Sequence, residues 1–127
     1  MDVNLPDVLD EVEAVFARYE QALVSNDIAV LDELFWADPR TVRYGVGEVL
    51  YGIEAIRAFR RDRPAQGLAR TLQRTVLTSF GRDFATASTL FTRYGAGGKL
   101  GRQQQSWVRF PAGWRIVAAQ VSVTSTA

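Results

Sequence analysis

Residues 40–63 read R-T-V-R-Y-G-V-G-E-V-L-Y-G-I-E-A-I-R-A-F-R-R-D-R and combine two periodicities within one short window. The stretch begins as two extended segments joined by a turn at residues 45–47, and after Gly52 it changes to helical spacing. Arg43 lies in the first extended segment among apolar and aromatic neighbours, so that this segment should have one buried face. The side chain of Arg43 therefore points either to solvent or into the protein, where a partner or a ligand must neutralise its charge.

Two helices are expected before this stretch and one within it. The first should begin near Pro6, with Asn4 as its cap. Three-and-four spacing gives it one buried stripe, formed by Val8, Val12, Val15, Phe16, Tyr19, Ala22 and Leu23. Ser25–Asp27 ends this helix and caps a short second one, which ends at Asp38–Pro39. The third helix is predicted from about Gly52 to Asp62.

The remainder of the chain, from Leu68 onward, is typical of strands. Turns of hairpin length and composition separate four extended runs, which are Arg70–Phe80, Phe84–Tyr94, Lys99–Phe110 and Trp114–Thr124. Such long strands predict a strongly curved antiparallel sheet, with the three N-terminal helices covering its concave face. The expected fold is therefore an α+β cone that forms one domain over residues 1–127, with a pocket at its open end.

Composition excludes several classes of chemistry. The 127 residues are 47% hydrophobic and contain neither cysteine nor histidine, which excludes Ser-His and Cys-His nucleophile pairs and disulfides. The same gaps, and the lack of a clustered acidic motif, predict no metal and no cofactor. There is no run of about 18 apolar residues and no secretory signal, so we expect a cytoplasmic protein that does not enter a membrane.

Charge is distributed unevenly along the chain. Residues 1–38 carry a net charge of −9, whereas residues 39–74 and 75–127 each carry +5. One interpretation is an acidic helical layer packed on a basic sheet, with most charges solvated, including those of the basic helix after Gly52. The other is that some of the arginines line a pocket for an anion. Because the basic residues do not form one dense run, nucleic-acid binding is not expected.

Few side chains remain for catalysis. Tyr19 lies on the buried stripe of the first helix, where it is either a core residue or a proton-transfer group. Alternation along the third long strand places Gln105 and Trp107 on one face. In the last strand, alternation predicts that Gln120 shares a face with Trp114 and Ile116, either as a pocket wall or as a polar residue at the sheet end.

Several motifs together resemble the AtzH/HpxZ family of the nuclear transport factor 2-like (SnoaL-like) superfamily. They are F-x-x-Y-E-x-A-L-x-x-N-D (16–27), L-F-W (34–36), T-V-R-Y-G-x-G-E-x-L-Y-G-x-x-A-I-x-A-F-R-x-x-R (41–63), G-R-Q-x-Q-x-W-V-R (101–109) and G-W-R-I-V-A-A-x-V-S (113–122). The blocks around Arg43 and Trp107 are the specific ones. The sequence departs from the usual family pattern at Gln120, where histidine is usual, and at Gln104, where serine is usual.

The resemblance implies a cone that is oligomeric through its outer sheet face. It also implies a role beside an amidase in nitrogen-compound catabolism, removing a carboxyl-bearing group from a small carboxylated urea, such as 1,3-dicarboxyurea going to allophanate. The family's catalytic pair maps onto Tyr19 and Arg43.

The leading hypothesis is therefore a cofactor-free enzyme with a small anionic substrate. Arg43 would bind a carboxylate and Tyr19 would transfer a proton, and the substrate would be surrounded by Trp36, Arg70, Gln105, Trp107 and Gln120.

Two alternatives stay open. The first is a non-catalytic binding or dimerisation module, with Arg43 in a structural ion pair with Glu48. The second is a proton shuttle of the ketosteroid isomerase type with Glu48 as its base; Glu48 is otherwise an ion-pair partner for Arg43 or Arg70.

Overall fold

The computed structural model describes residues 1–126 and has the predicted order of elements. Two helices, a short hairpin and a third helix precede four long strands. The elements are α1 (Pro6–Val24), α2 (Ile28–Leu34), β1 (Val42–Tyr44), β2 (Val49–Tyr51), α3 (Ile53–Asp62), β3 (Thr71–Phe80), β4 (Phe84–Thr92), β5 (Lys99–Phe110) and β6 (Gly113–Ser125). None of the helices within residues 1–126 is long and apolar enough to cross a membrane.

The six strands form one curved sheet in the order β2-β1-β6-β5-β4-β3. The four long strands make the predicted antiparallel meander, and β1 and β2 are also antiparallel. One pairing inside the sheet is parallel, because β1 runs in the same direction as β6. This pairing places Arg43 beside Ala119 of the last strand.

The helices cover the concave face of this sheet and close the core. The predicted stripe of α1 is buried apart from the half-buried Val15, and it packs on inward side chains of β4, β5 and β6. Asp27 caps α2 as predicted, since its Oδ1 accepts a hydrogen bond from the backbone N–H of Val30. Asn4 does not cap α1; its side chain and backbone instead bond to the backbone of Ser79 in β3.

A β-bulge in β6 changes which residues face inward. Trp107 of β5 pairs with Ile116, but the preceding Ser106 pairs with Ala118, so that Val117 is the extra residue. Beyond the bulge the alternation is shifted by one position. The predicted common face of Trp114, Ile116 and Gln120 is therefore wrong: Gln120 is exposed and pairs with the exposed Gln104.

Candidate active site

Tyr19 lies on the inward face of α1 and is packed between two aromatic rings. Its ring centroid is 6.4 Å from that of Phe35 and 6.4 Å from that of Trp107, whose plane is nearly perpendicular at 88°. Within residues 1–126, no hydrogen bond joins the Tyr19 hydroxyl to another group. The ring is thus fixed by packing, while its hydroxyl keeps its full hydrogen-bonding capacity.

Arg43 points into the protein, which decides between the two orientations that the sequence allows. Its side chain is 14% exposed, and its guanidinium carbon lies 5.4 Å from the centre of the Phe59 ring. Glu48 approaches to 3.8 Å, a distance at which the charges attract but no hydrogen bond forms. The Nη1 atom of Arg43 is buried without any hydrogen-bond partner among the described residues.

Arg60 of α3 is the most deeply buried arginine of that helix. Its side chain is 5% exposed, donates a 2.5 Å hydrogen bond to Asp32 and lies over the ring of Phe35. Burial lowers the pKa of Arg60, and repulsion from Arg43 acts in the same direction, whereas Tyr19 and Asp32 act against it. The arginine therefore belongs to the same electrostatic neighbourhood as Tyr19.

Arg63 follows directly after α3 and adds a further cation. The next residue, Pro64, disfavours helical geometry at Arg63, which is extended with ψ of 136°. Its Nε and Nη2 atoms are buried and have no hydrogen-bond partner within residues 1–126. Burial lowers the pKa of Arg63; Tyr19 acts against this shift, and repulsion from Arg43, Arg60 and Arg93 acts with it.

Arg70 and Arg93 approach the same region from the sheet side. We call Arg43, Arg60, Arg63, Arg70 and Arg93 together the cationic cluster. Arg70 is 2% exposed at its side chain, forms an ion pair with Glu20 and donates a 3.0 Å hydrogen bond to Oε1 of Gln103. Arg70 and Arg93 both lie over the ring of Phe91, at 4.6 and 4.8 Å from its centre. The hydrogen-bond donors of Arg70 are thus occupied by protein groups. The Nε2 of Gln103 is buried and has no hydrogen-bond partner among the described residues.

The other predicted contact residues fall into two groups. Gln105 and Trp107 are both buried on the inner face as predicted, and the indole N–H of Trp107 donates a 3.0 Å hydrogen bond to Gln105. Trp36 and Gln120 lie elsewhere. The ring centroids of Trp36 and Phe110 are 5.3 Å apart, and the two rings are stacked. Phe35 and Trp36 are extended along Ile116, so that their side chains point to opposite sides. Phe35 is therefore the residue that packs beside Tyr19.

Gln120 lines an outer-face groove of about 590 Å³ together with Ser88, Gln104 and Ser122. Neither Trp36 nor Gln120 makes a hydrogen bond or a ring contact with Tyr19 among residues 1–126, and Gln120 is exposed. Their role as substrate contacts stays a prediction.

Sequence reasoning missed Arg60 and Arg63, since the basic helix was expected to be mostly a solvated face. That expectation is wrong for Arg60, and a signal was present: Arg60 follows Ile53 and Ile56 by seven and four residues and so lies on their buried stripe. The proline after Arg63 is a weaker signal for its inward turn. No sequence pattern indicated that Arg93 would approach the cluster, because the approach depends on strand pairing.

The arrangement favours a small anion with more than one carboxylate. Arg43, Arg60, Arg63 and Arg93 interact electrostatically with Tyr19 or with one another, and Asp32 hydrogen-bonds only Arg60 among them. Residues 1–126 contain no group of three or more acidic side chains that could hold a metal ion. The chemistry available from these side chains is charge stabilisation by guanidinium groups and proton transfer by a phenol.

Among the solved structures that are similar to this chain, two have high sequence identity with it. One is a protein of unknown function from the DUF3225 family of Pectobacterium atrosepticum, with 64% identity, a TM-score of 0.96 and coverage of 98% of this chain and 96% of that one. The other is a cystatin-like fold protein of Burkholderia xenovorans, with 53% identity, a TM-score of 0.95 and coverage of 100% and 99%.

More distant similarity concerns the fold alone. A nuclear transport factor 2-like protein with a cystatin-like fold from Novosphingobium aromaticivorans is 24% identical, with a TM-score of 0.74 over 98% of this chain and 86% of that one. Comparison with curated proteins finds no match. The sequence profile of the AtzH-like family matches residues 1–127, and the chain belongs to that family.

Proposed function

We propose that this protein is a cofactor-free enzyme that removes a carboxyl group from a small carboxylated urea, in a reaction of the 1,3-dicarboxyurea-to-allophanate type, and that it works beside an amidase. One observation carries the proposal. The fold leaves the buried Nη1 of Arg43 without a hydrogen-bond partner and leaves the Tyr19 hydroxyl unbonded within residues 1–126. A charged donor and a proton-transfer group are thus both available to a ligand in one cationic region.

The proposed reaction breaks the bond between a urea nitrogen and a carboxylate carbon. CO2 leaves, the electron pair stays on the nitrogen and is shared with the urea oxygen, and Tyr19 delivers a proton to the nitrogen. The phenolate is then reprotonated from water, so that one proton is consumed in each turnover. Arg43 binds the substrate through a charge-assisted hydrogen bond and stabilises the negative charge that develops during bond cleavage.

The loose contact between Arg43 and Glu48 favours this role over a structural ion pair. A buried ion pair that stabilises a fold is normally hydrogen-bonded, whereas 3.8 Å separates these two side chains. The Arg43→Gln variant should therefore melt close to the wild type. Assembly of copies through the outer sheet face and a cytoplasmic location remain predictions of the proposal.

The test is release of CO2 from carboxylated ureas, measured with wild type, Arg43→Gln and Tyr19→Phe. Each variant should lower kcat/KM by about 10²-fold or more, with its melting temperature near that of the wild type. Arg40→Gln and Tyr51→Phe are matched controls, because both side chains are exposed and lie near Arg43 in sequence; they should retain activity. Full activity in either Arg43→Gln or Tyr19→Phe would refute the assignment.

A further inference from the structure

The guanidinium of Arg63 has one edge without a hydrogen-bond partner among residues 1–126. The two unpartnered atoms are Nε and Nη2, and both are buried. These two N–H groups lie on one side of the planar guanidinium and point in nearly the same direction, which matches the spacing of the two oxygens of a carboxylate. Arg63 therefore has the free geometry for a bidentate contact.

The same edge binds carboxylates elsewhere in this protein. Arg40 uses its Nε and Nη2 to hold Asp38, at 2.8 and 3.0 Å. Arg70 uses the same two atoms to hold both oxygens of Glu20. Arg63 differs from both of these arginines because no carboxylate lies within 4.0 Å of it among residues 1–126.

Leaving this edge empty is energetically unfavourable for the protein alone. Arg63 is half-buried, and its two buried N–H groups lose their hydration without gaining a hydrogen bond in return. The charges of Arg43, Arg60 and Arg93 add repulsion, which is why they lower the pKa of Arg63 together with burial. A bound anion would accept hydrogen bonds from the two buried N–H groups and would also reduce the repulsion between the arginines.

We infer that Arg63 is a second carboxylate-binding group of the active site and makes the site selective for small dicarboxylates over monocarboxylates. In this arrangement Arg63 holds one carboxylate of the ligand by its fork, and Arg43 binds the other end with its free Nη1. This inference rests on the proposed function for the identity of the natural substrate, since a dicarboxylated urea carries one carboxylate at each end. The binding chemistry itself does not depend on turnover.

The experiment measures the affinities of malonate and acetate by isothermal titration calorimetry, with melting temperatures of the ligand-free proteins alongside. Wild type should bind malonate more tightly than acetate. Arg63→Gln should weaken malonate binding by about tenfold or more, and acetate binding by much less. Arg63→Lys keeps the charge but loses the fork, and it should also weaken malonate binding.

Arg61→Gln is the matched control, because it removes one charge from an exposed position in the last turn of α3, two residues before Arg63. It should leave both affinities within about twofold of wild type. Because Arg63→Gln removes a half-buried cation that has no carboxylate within 4.0 Å among residues 1–126, its ligand-free melting temperature should equal or exceed that of wild type. A purely structural arginine would give a lower melting temperature and an unchanged preference for malonate.

The inference is overturned if wild type shows no preference for malonate, if it binds neither acid, or if Arg63→Gln keeps the preference. Turnover assays separate this result from the fate of the proposed function. Loss of malonate preference in Arg63→Gln, with no wild-type turnover of carboxylated ureas, would support the subsite and refute the reaction. If wild type turns over carboxylated ureas and Arg63→Gln keeps both this turnover and the malonate preference, the reaction is supported and the subsite is refuted.

Discussion

Neutralising Glu20 should destabilise the protein far more than neutralising a comparable surface acid. Glu20 in α1 is the counter-charge of Arg70, whose side chain is 2% exposed and cannot reach water in the folded state. The Glu20→Gln substitution keeps the size and one acceptor oxygen, but it removes the negative charge. Arg70 would then be a buried cation held only by two amide oxygens, one from the substituted side chain and one from Gln103.

The expected cost follows from this burial. Removing one partner of a buried ion pair costs about 3–5 kcal/mol, and the retained acceptor places this variant near about 3 kcal/mol. A chain of this length has a free energy of unfolding of about 6–19 kcal/mol. Because each kcal/mol changes the melting temperature by about 4 °C at this size, we expect a decrease of about 12 °C.

Urea unfolding followed by circular dichroism provides the measurement, with Glu33→Gln as the control. Glu33 also pairs with an arginine, Arg18, but both side chains are 47% exposed, so that its loss should cost about 0–1 kcal/mol. The double variant Glu20→Leu with Arg70→Met removes both charges and should recover most of the lost stability. If the free energies of unfolding of Glu20→Gln and Glu33→Gln differ by less than about 1 kcal/mol, the buried ion pair of Arg70 contributes no more than the exposed pair of Arg18, and the reasoning is refuted.

Two further substitutions test how the site is shaped. A Cβ on Gly101 would lie 2.2 Å from the ring of Phe91, so Gly101→Ala should displace that ring from beneath Arg70 and Arg93 and cost about 1–3 kcal/mol in urea unfolding; an unchanged midpoint would contradict this packing. Gln120→Ala should leave malonate affinity within about twofold, because Gln120 lies on the outer face; a marked loss in calorimetry would place it back in the site.

Most of the fold was predictable because local signals and the global architecture agree. Each hairpin is marked by turn residues, and the stripe of α1 has a single apolar face that only a sheet could cover. The parallel contact of β1 with β6 was not predictable, because it depends on where the short hairpin docks after two helices. The bulge at Val117 carries no composition signal either, and one extra residue was enough to reverse the predicted side of Gln120.

The candidate site was predictable only at its two chemical positions. Tyr19 and Arg43 stood out because the absence of histidine and cysteine left few other groups for catalysis. The arginines around Tyr19 were not predicted. Strand alternation and helical spacing show on which face of its own element a side chain lies, but not which other element packs against that face. Arg60 illustrates this difference: its stripe was visible in the sequence, but its contact with Asp32 of α2 depends on how two helices pack.

The site is cationic because some of its arginines have no acidic partner on α1 or α2. Glu11, Glu20 and Asp32 each bind an arginine of α3 or the sheet region, at Arg109, Arg70 and Arg60 respectively. Within residues 1–126, Arg63 and Arg93 have no carboxylate within 4.0 Å, and Arg43 has only the distant Glu48. These three ion pairs neutralise part of the opposite charge of the two layers. Arg63 and Arg93 interact electrostatically with Tyr19, and Arg43 interacts with Arg63. These arginines leave positive charge beside Tyr19, which is where the proposed reaction needs to hold a dianion and stabilise it.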